Sequence, residues 1–414
     1  MHRLLLVDGQ SWFGMPALAV LATALLWRPV SGAEAREGSV AVDCRFPGGN
    51  IVAERVEGDE VYLHQDLRDT NGWWFWWYFR VRGASDRQLT FHFTHRNVFA
   101  ARGPAISTEG GTSWRWLGPQ CVRGDSFSYV FGDREEEVRF AFAFPYVEKD
   151  LRRFLAGYRG HPHLSVRPLC RSRGGRRVER IHAGRIDGDP TCRLILTARH
   201  HACESMANFV LEGFLQVVLE DSGQGQWFRR HAEVMAIPFM DKDGVEEGDQ
   251  GKNRRPHDHN RDYAGQSIYP SVGAVRRLVP DWSEGRLQVA IDLHCPWVRG
   301  PSNEVIFQVG SSNPVMWQRQ ASFGRLLERC CRGPLPYQAA NDVPFGKSWN
   351  TDANRRGGVT FTMWAEQLEG VKLATCIEIP YATVGDTAVD ADTARAFGRD
   401  LAHAVQKYLA GQSR

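Results

Sequence analysis

Between residues 39 and 145 the apolar positions fall in short β-branched and aromatic runs, RQLTFHFTH, SFSYVF and EVRFAFAF among them, cut by Gly, Asp, Asn and Pro. No 3.6-residue period runs through them, so the stretch predicts an all-β module. Its densest piece, WWFWWYFRV at 73–81, is apolar on both faces and predicts a central strand between two packed layers. Rings in such a run supply core burial, and we read them as core rather than as a sugar-stacking platform.

Past FAFPYVEKDLRRFL the pattern changes to strands alternating with helices. RSRGGRRVERI places a Gly174-Gly175 turn between two strands, a solvated hairpin rather than a polyanion site. CRLILTAR reads as a buried strand. The helix predicted at 205–220 carries Met206, Val210, Phe214 and Val217 on one face and has Ser205 at its cap. Further strands are predicted at 233–240, 286–294 and 372–380, and the chain closes with an amphipathic helix in which Phe397, Leu401, Val405 and Tyr408 share a face. This alternation predicts an α/β layer architecture, where sites gather at the carboxyl ends of strands.

The N-terminus differs from both parts. Arg3 precedes the apolar stretch MPALAVLATALLW at 15–27, and SGAEA follows at 31–35. Residues 1–35 therefore read as an export signal, cleaved after Ala33 or Ala35, which would place the protein in the periplasm or outside the cell. The apolar part is shorter than the roughly 20 residues of a spanning helix, so no stable membrane insertion is expected after cleavage. An uncleaved anchor is the competing reading, because the run-in is long and contains Asp8. The expected division is then a β-sandwich domain at 36–148 and an α/β domain at 149–414.

Charge and cysteine content exclude some functions. Among 414 residues, 51 Lys and Arg face 48 Asp and Glu, a net charge of +3 that argues against a nucleic-acid or anionic-membrane partner. The nine cysteines are odd in number and contain no C-x-x-C pair, so neither a disulfide scaffold nor a cysteine metal site is expected.

Polar groups remain where the predicted strands end. His200, His201 and Glu204 follow CRLILTAR. Arg254, Arg255, Asn260 and Arg261 lie in the loop GKNRRPHDHNRDY, whose His257 and His259 read as solvated. His294 ends VAIDLH, and Glu378 sits inside TCIEIP. A histidine and a carboxylate three residues apart, with a third nitrogen from a distant strand end, suit tetrahedral zinc with one position left for water. Burying the Glu378 carboxylate costs several kcal/mol, on the order of an ion's desolvation, unless a cation or hydrogen bonds compensate.

This ordered set, H-x-x-E, then N-R in a glycine-rich loop, then D-L-H at a strand end, then a glutamate in an apolar strand, resembles the zinc carboxypeptidases. The β-module ending in FAFPY resembles their cytosolic-carboxypeptidase branch. The resemblance implies a mixed sheet flanked by helices behind a β-sandwich, and one zinc ion per chain on His201, Glu204 and His294. His200 would be a neighbour, with an exchange of the two histidines as the alternative, and Asp292 a candidate to orient a ligand histidine. It further implies that Asn260 and Arg261 grip the substrate's free carboxylate, that Arg254, with Arg255 as its competitor, polarises the scissile carbonyl, and that Glu378 is the general base. Tyr337 and Tyr381 are candidates for a substrate-capping tyrosine. Lys347, Arg355 and Arg356 are candidates to favour an acidic substrate side chain, against solvation as the default.

The implied activity is hydrolysis of the C-terminal peptide bond of a peptide or protein. Two alternatives stand beside it: an amidohydrolase of acylated amino acids or cell-wall peptides, and a non-catalytic binding protein on the same fold.

Overall fold

The computed structural model describes residues 40–411 apart from 356, and the side chain of Arg355 is not described. The segment read as an export signal lies outside the described residues. Contacts join these described residues into one compact unit.

The β-rich part is built from two five-stranded sheets. One has the order Ala41–Asp43, Tyr78–Arg82, Glu137–Ala141, Ala105–Ser107, Arg115–Trp116. The other has the order Val52–Glu57, Glu60–His64, Gln88–Phe93, Ser126–Val130, Val122–Arg123. Alternation drives their packing: along Gln88–Phe93 the residues Leu89, Phe91 and Phe93 are buried while their neighbours are not. Phe79 and Phe140 of the first sheet meet Phe91 and Phe127 of the second at centroid distances of 5.2–5.5 Å.

The tryptophan-rich run departs from the expected strand. Only Tyr78–Arg82 is regular, and it is central, flanked by Ala41–Asp43 and Glu137–Ala141. Ahead of it the backbone of Trp76 bonds to a side chain, donating to Gln250 Oε1 at 2.6 Å and accepting from Gln250 Nε2 at 2.8 Å. A side-chain amide here takes the place of a neighbouring strand, so the run is buried without being a ladder.

The second part is a seven-stranded mixed sheet with the order Leu164–Arg171, Arg177–Gly184, Ala232–Ile237, Cys192–Ala198, Leu287–His294, Leu373–Glu378, Phe307–Val309. Its four middle strands are parallel, and the outer pairings are antiparallel. The hairpin expected from RSRGGRRVERI is present, but its connection spans residues 172–176, and Arg176 pairs with Asp243 and Glu247 rather than with solvent alone.

Parallel strands covered on both faces read as continuous apolar runs, and all seven residues of Cys192–Ala198 are buried. Leu194 and Leu196 face the core shared with the helices Met206–Leu219 and Ala391–Gly411. Ile195 faces the core shared with Pro270–Ser283. The first two helices cross closely at Gly213 and Gly398, where an added Cβ would lie 1.9 Å from Arg395 O and 2.0 Å from Val210 O. Ser205 stands at the start of Met206–Leu219, but its hydroxyl makes no cap bond. Among the described residues no helix is long and apolar enough to cross a membrane.

Candidate functional site

Three residues from the carboxyl edge of the parallel strands converge. His201 and Glu204 lie in the turn after Cys192–Ala198, and His294 is the last residue of Leu287–His294. His201 Nδ1 is 2.9 Å from Glu204 Oε1, His294 Nδ1 is 2.7 Å from Glu204 Oε2, and the two Nδ1 atoms are 3.1 Å apart. A tetrahedral ion bound at roughly 2.0–2.2 Å holds its ligand atoms at about this spacing.

The tautomers test whether the residues suit a cation. Asp292 Oδ2 lies 2.6 Å from His294 Nε2 and fixes the proton on that nitrogen, leaving the Nδ1 lone pair aimed at a carboxylate oxygen. Acceptor against acceptor is repulsive unless a positive charge lies between. Without an ion that charge must be a proton: Asp292 and Glu204 push His294 well above the usual histidine range although burial opposes it. The donor set therefore fits a metal ion, and His201, Glu204 and His294 form a candidate cluster for one.

His200 does not join it. Both its nitrogens are engaged, Nδ1 by Asp292 Oδ1 and Nε2 by the Tyr263 hydroxyl, each at 2.8 Å. Asp292, which also accepts from Thr197 Oγ1 at 2.7 Å, thus orients two histidines at once.

Glu378 ends the strand beside His294 and pairs with it in register. It is buried, its Oε2 has no hydrogen-bond partner, and burial raises its pKa against the pull of His294 and Lys252. It lines a cavity of about 530 Å³ that also exposes His201, His294, Lys252, Asn260 and Arg261. Asn260 Oδ1 accepts from Phe361 N at 2.9 Å and its Nδ2 lies 3.2 Å from His294 Nε2. Arg261 donates to Asn260 O at 2.9 Å and to Asn354 O at 3.3 Å.

The geometry corrects the expectation for Arg254. Its Nη1 and Nη2 each lie 2.5 Å from a carboxylate, Asp241 and Asp249, and its Nε lies 2.9 Å from Asp69. It is buried, held by three acids and outside the cavity lining, so its charge is turned away from the space a substrate would occupy. Arg255 points instead to Asn71 Oδ1. Tyr381 is buried against Phe75 and Phe142, and Tyr337 donates to Asp342. Neither lines the cavity. Lys347 is also outside the lining. His259, expected in solvent, is buried and stacked on Tyr269 at 3.6 Å.

Two residues at the site had no sequence expectation. Asp258 receives the backbone N–H groups of Asn253 and Asn260 and stands 3.7 Å from His201 Nε2. Lys252 Nζ lies 3.2 Å from Glu204 Oε1. Gly251 brings it there: with φ at +75°, it packs so closely on the H-x-x-E turn that a Cβ would sit 2.1 Å from Ala202 N. The sequence signal was that glycine, directly ahead of a lysine in the loop.

No family model matches the sequence. Cytosolic carboxypeptidase 3 of Mus musculus is 23% identical over 372 residues, covering 79% of this chain and 36% of the mouse protein. Cytosolic carboxypeptidase 6 of Caenorhabditis elegans is 24% identical over 292 residues, covering 62% of each. A metallo-carboxypeptidase structure from Burkholderia cenocepacia superposes with a TM-score of 0.73 at 19% identity, over 90% of this chain and 100% of that one. One from Pseudomonas aeruginosa, in complex with (2-guanidinoethylmercapto)succinic acid, gives 0.71 at 19% identity with the same coverage.

The fold is that of the metallocarboxypeptidases. In sequence the chain resembles the cytosolic carboxypeptidases at 23–24% identity, the branch that its motifs resemble. It spans about a third of the length of the mouse relative. These relatives overturn one expectation. They are named cytosolic carboxypeptidases, which is at odds with an exported protein, and the export assignment is withdrawn.

Proposed function

We propose that this chain is a zinc-dependent metallocarboxypeptidase that removes the C-terminal residue of a peptide or protein, with a β-sandwich domain at 36–148 ahead of the catalytic domain at 149–414. The observation that carries the reading is the convergence of His201, Glu204 and His294 within about 3 Å of one another, beside a buried carboxylate with one unpartnered oxygen and an Asn-Arg pair in one cavity. One zinc ion on those three residues would supply an activated water and polarise the carbonyl.

The chain's own groups do the rest. Arg261 and Asn260 grip the free carboxylate and fix which bond faces Glu378. Glu378 takes the proton from the attacking water and returns it to the leaving amine, a task suited to a carboxylate whose pKa burial has raised. Asp292 holds the orientation of His294, and Asp258 places a negative charge 3.7 Å from His201 Nε2.

The test is a peptide-library digest read by mass spectrometry, with and without chelator, on wild type and Glu378→Gln. The reading expects loss of single C-terminal residues, abolished by chelator and reduced at least about 100-fold in the variant, which still binds zinc. Amidated peptides should resist cleavage. Cleavage indifferent to both chelator and amidation would refute it, and cleavage confined to acylated amino acids would favour the amidohydrolase alternative.

A further inference from the structure

We propose that Lys252 is a catalytic residue at this site: its ammonium binds the scissile carbonyl oxygen and holds the negative charge that develops there. The inference rests on the carboxypeptidase reading and assigns the group that Arg254 is too committed to provide.

Several observations carry it. Among the described residues lining the cavity, Lys and Arg are represented by Lys252 and Arg261. Arg261 is the partner of the free carboxylate under the proposed reading, which leaves Lys252. Its Nζ is 3.2 Å from Glu204 Oε1, at one corner of the cluster where the reacting carbonyl must come, and its side chain keeps 24% exposure toward the cavity. The flank of Trp74, whose ring centroid lies 5.4 Å from Nζ, walls it off on one side.

The position is built rather than incidental. Cys203 N donates to Gln250 O at 3.1 Å, Gln250 is locked to the backbone of Trp76, and Gly251 abuts Ala202. These three contacts carry the lysine to the turn that supplies His201 and Glu204. A fixed cation in a water-poor cavity needs no reorganisation when charge develops beside it.

The chemistry balances as follows. The water oxygen bonds to the carbonyl carbon, the carbonyl π pair moves onto its oxygen, and one water proton passes to Glu378. Lys252 donates a hydrogen bond to that oxygen and keeps all its protons. When the pair returns, the C–N bond breaks and the proton on Glu378 goes to nitrogen, giving an amine and a carboxylic acid that ionises to carboxylate.

The experiment compares Lys252→Met and Lys252→Arg with wild type by zinc content, by kcat and KM on one peptide, and by calorimetric affinity for a tetrahedral phosphonate analogue and for the planar product. Lys252→Met should keep one zinc per chain and KM within about threefold, lose about 100-fold to 1000-fold in kcat, and lose phosphonate affinity far more than product affinity. Lys252→Arg should recover part of both losses. Unchanged kcat, or equal loss of phosphonate and product binding, would overturn the assignment. Zinc loss in both variants would overturn it too, making Lys252 a positioning residue for Glu204. Wild-type protein that cleaves no peptide would instead remove the parent reading, an outcome visible before any variant is made.

Discussion

Asp292 and His294 lie two residues apart on one strand and so share a face, where Asp292 Oδ2 meets His294 Nε2 at 2.6 Å while Oδ1 holds His200 at 2.8 Å. One buried carboxylate therefore sets the tautomer of the histidine whose other nitrogen meets Glu204. Asp292→Asn should lower zinc affinity by about 10-fold to 100-fold, measured by chelator competition, with the protein still folded. Unchanged affinity would show that His294 needs no such partner.

Arg254 should matter for folding rather than for substrate. Asp241 and Asp249 are buried against it, and Asp249 also pairs with Arg68, so Arg254→Met leaves Asp241 without its close cation and should cost about 3 kcal/mol in urea unfolding. A variant of wild-type stability but much reduced kcat would return the arginine to the chemistry.

Gly251→Ala should destabilise by about 2 kcal/mol, since it combines a positive φ with a clash against Ala202 N. Turnover should fall as well, because the same displacement moves Lys252 off Glu204. Thermal melts and kinetics on one preparation would expose either effect, and indifference of both would refute the close approach.

His259 should make the fold acid-sensitive. Burial lowers its pKa to about 4, outweighing the nearby Asp241 carboxylate. The unfolded chain takes up the proton near the ordinary value of about 6.5, while the native state resists until about 4, so this contribution is complete above pH 6.5 and is lost as pH falls through that window. The gap corresponds to about 3 kcal/mol at most. Unfolding from pH 7 to 4, with chelator present to remove metal release, should show a steeper fall for wild type than for His259→Gln. Parallel curves would sink the idea.

Much of this was legible from periodicity and order. The buried parallel strands read as apolar runs, and His201, Glu204, His294 and Glu378 stand at or just past their carboxyl ends in sequence and structure alike. What sequence could not supply were partners brought in from afar. Arg254 looked like a free cation because Asp69, 185 positions earlier, is invisible to local reading. The tryptophan run looked like one long strand because a side-chain amide from Gln250 can satisfy its backbone as well as a neighbouring strand. His259 read as solvated because its ring is covered by Tyr269, ten residues on.

The clasp between Trp76 and Gln250 has a consequence for how such a protein comes to be active. Under the proposed reading the site's groups belong to segments near positions 75, 250 and 378 that must meet, so they come together only after the strand at 373–378 has been synthesised. Late assembly of this kind would keep the groups apart while neighbouring chains are still unfolded.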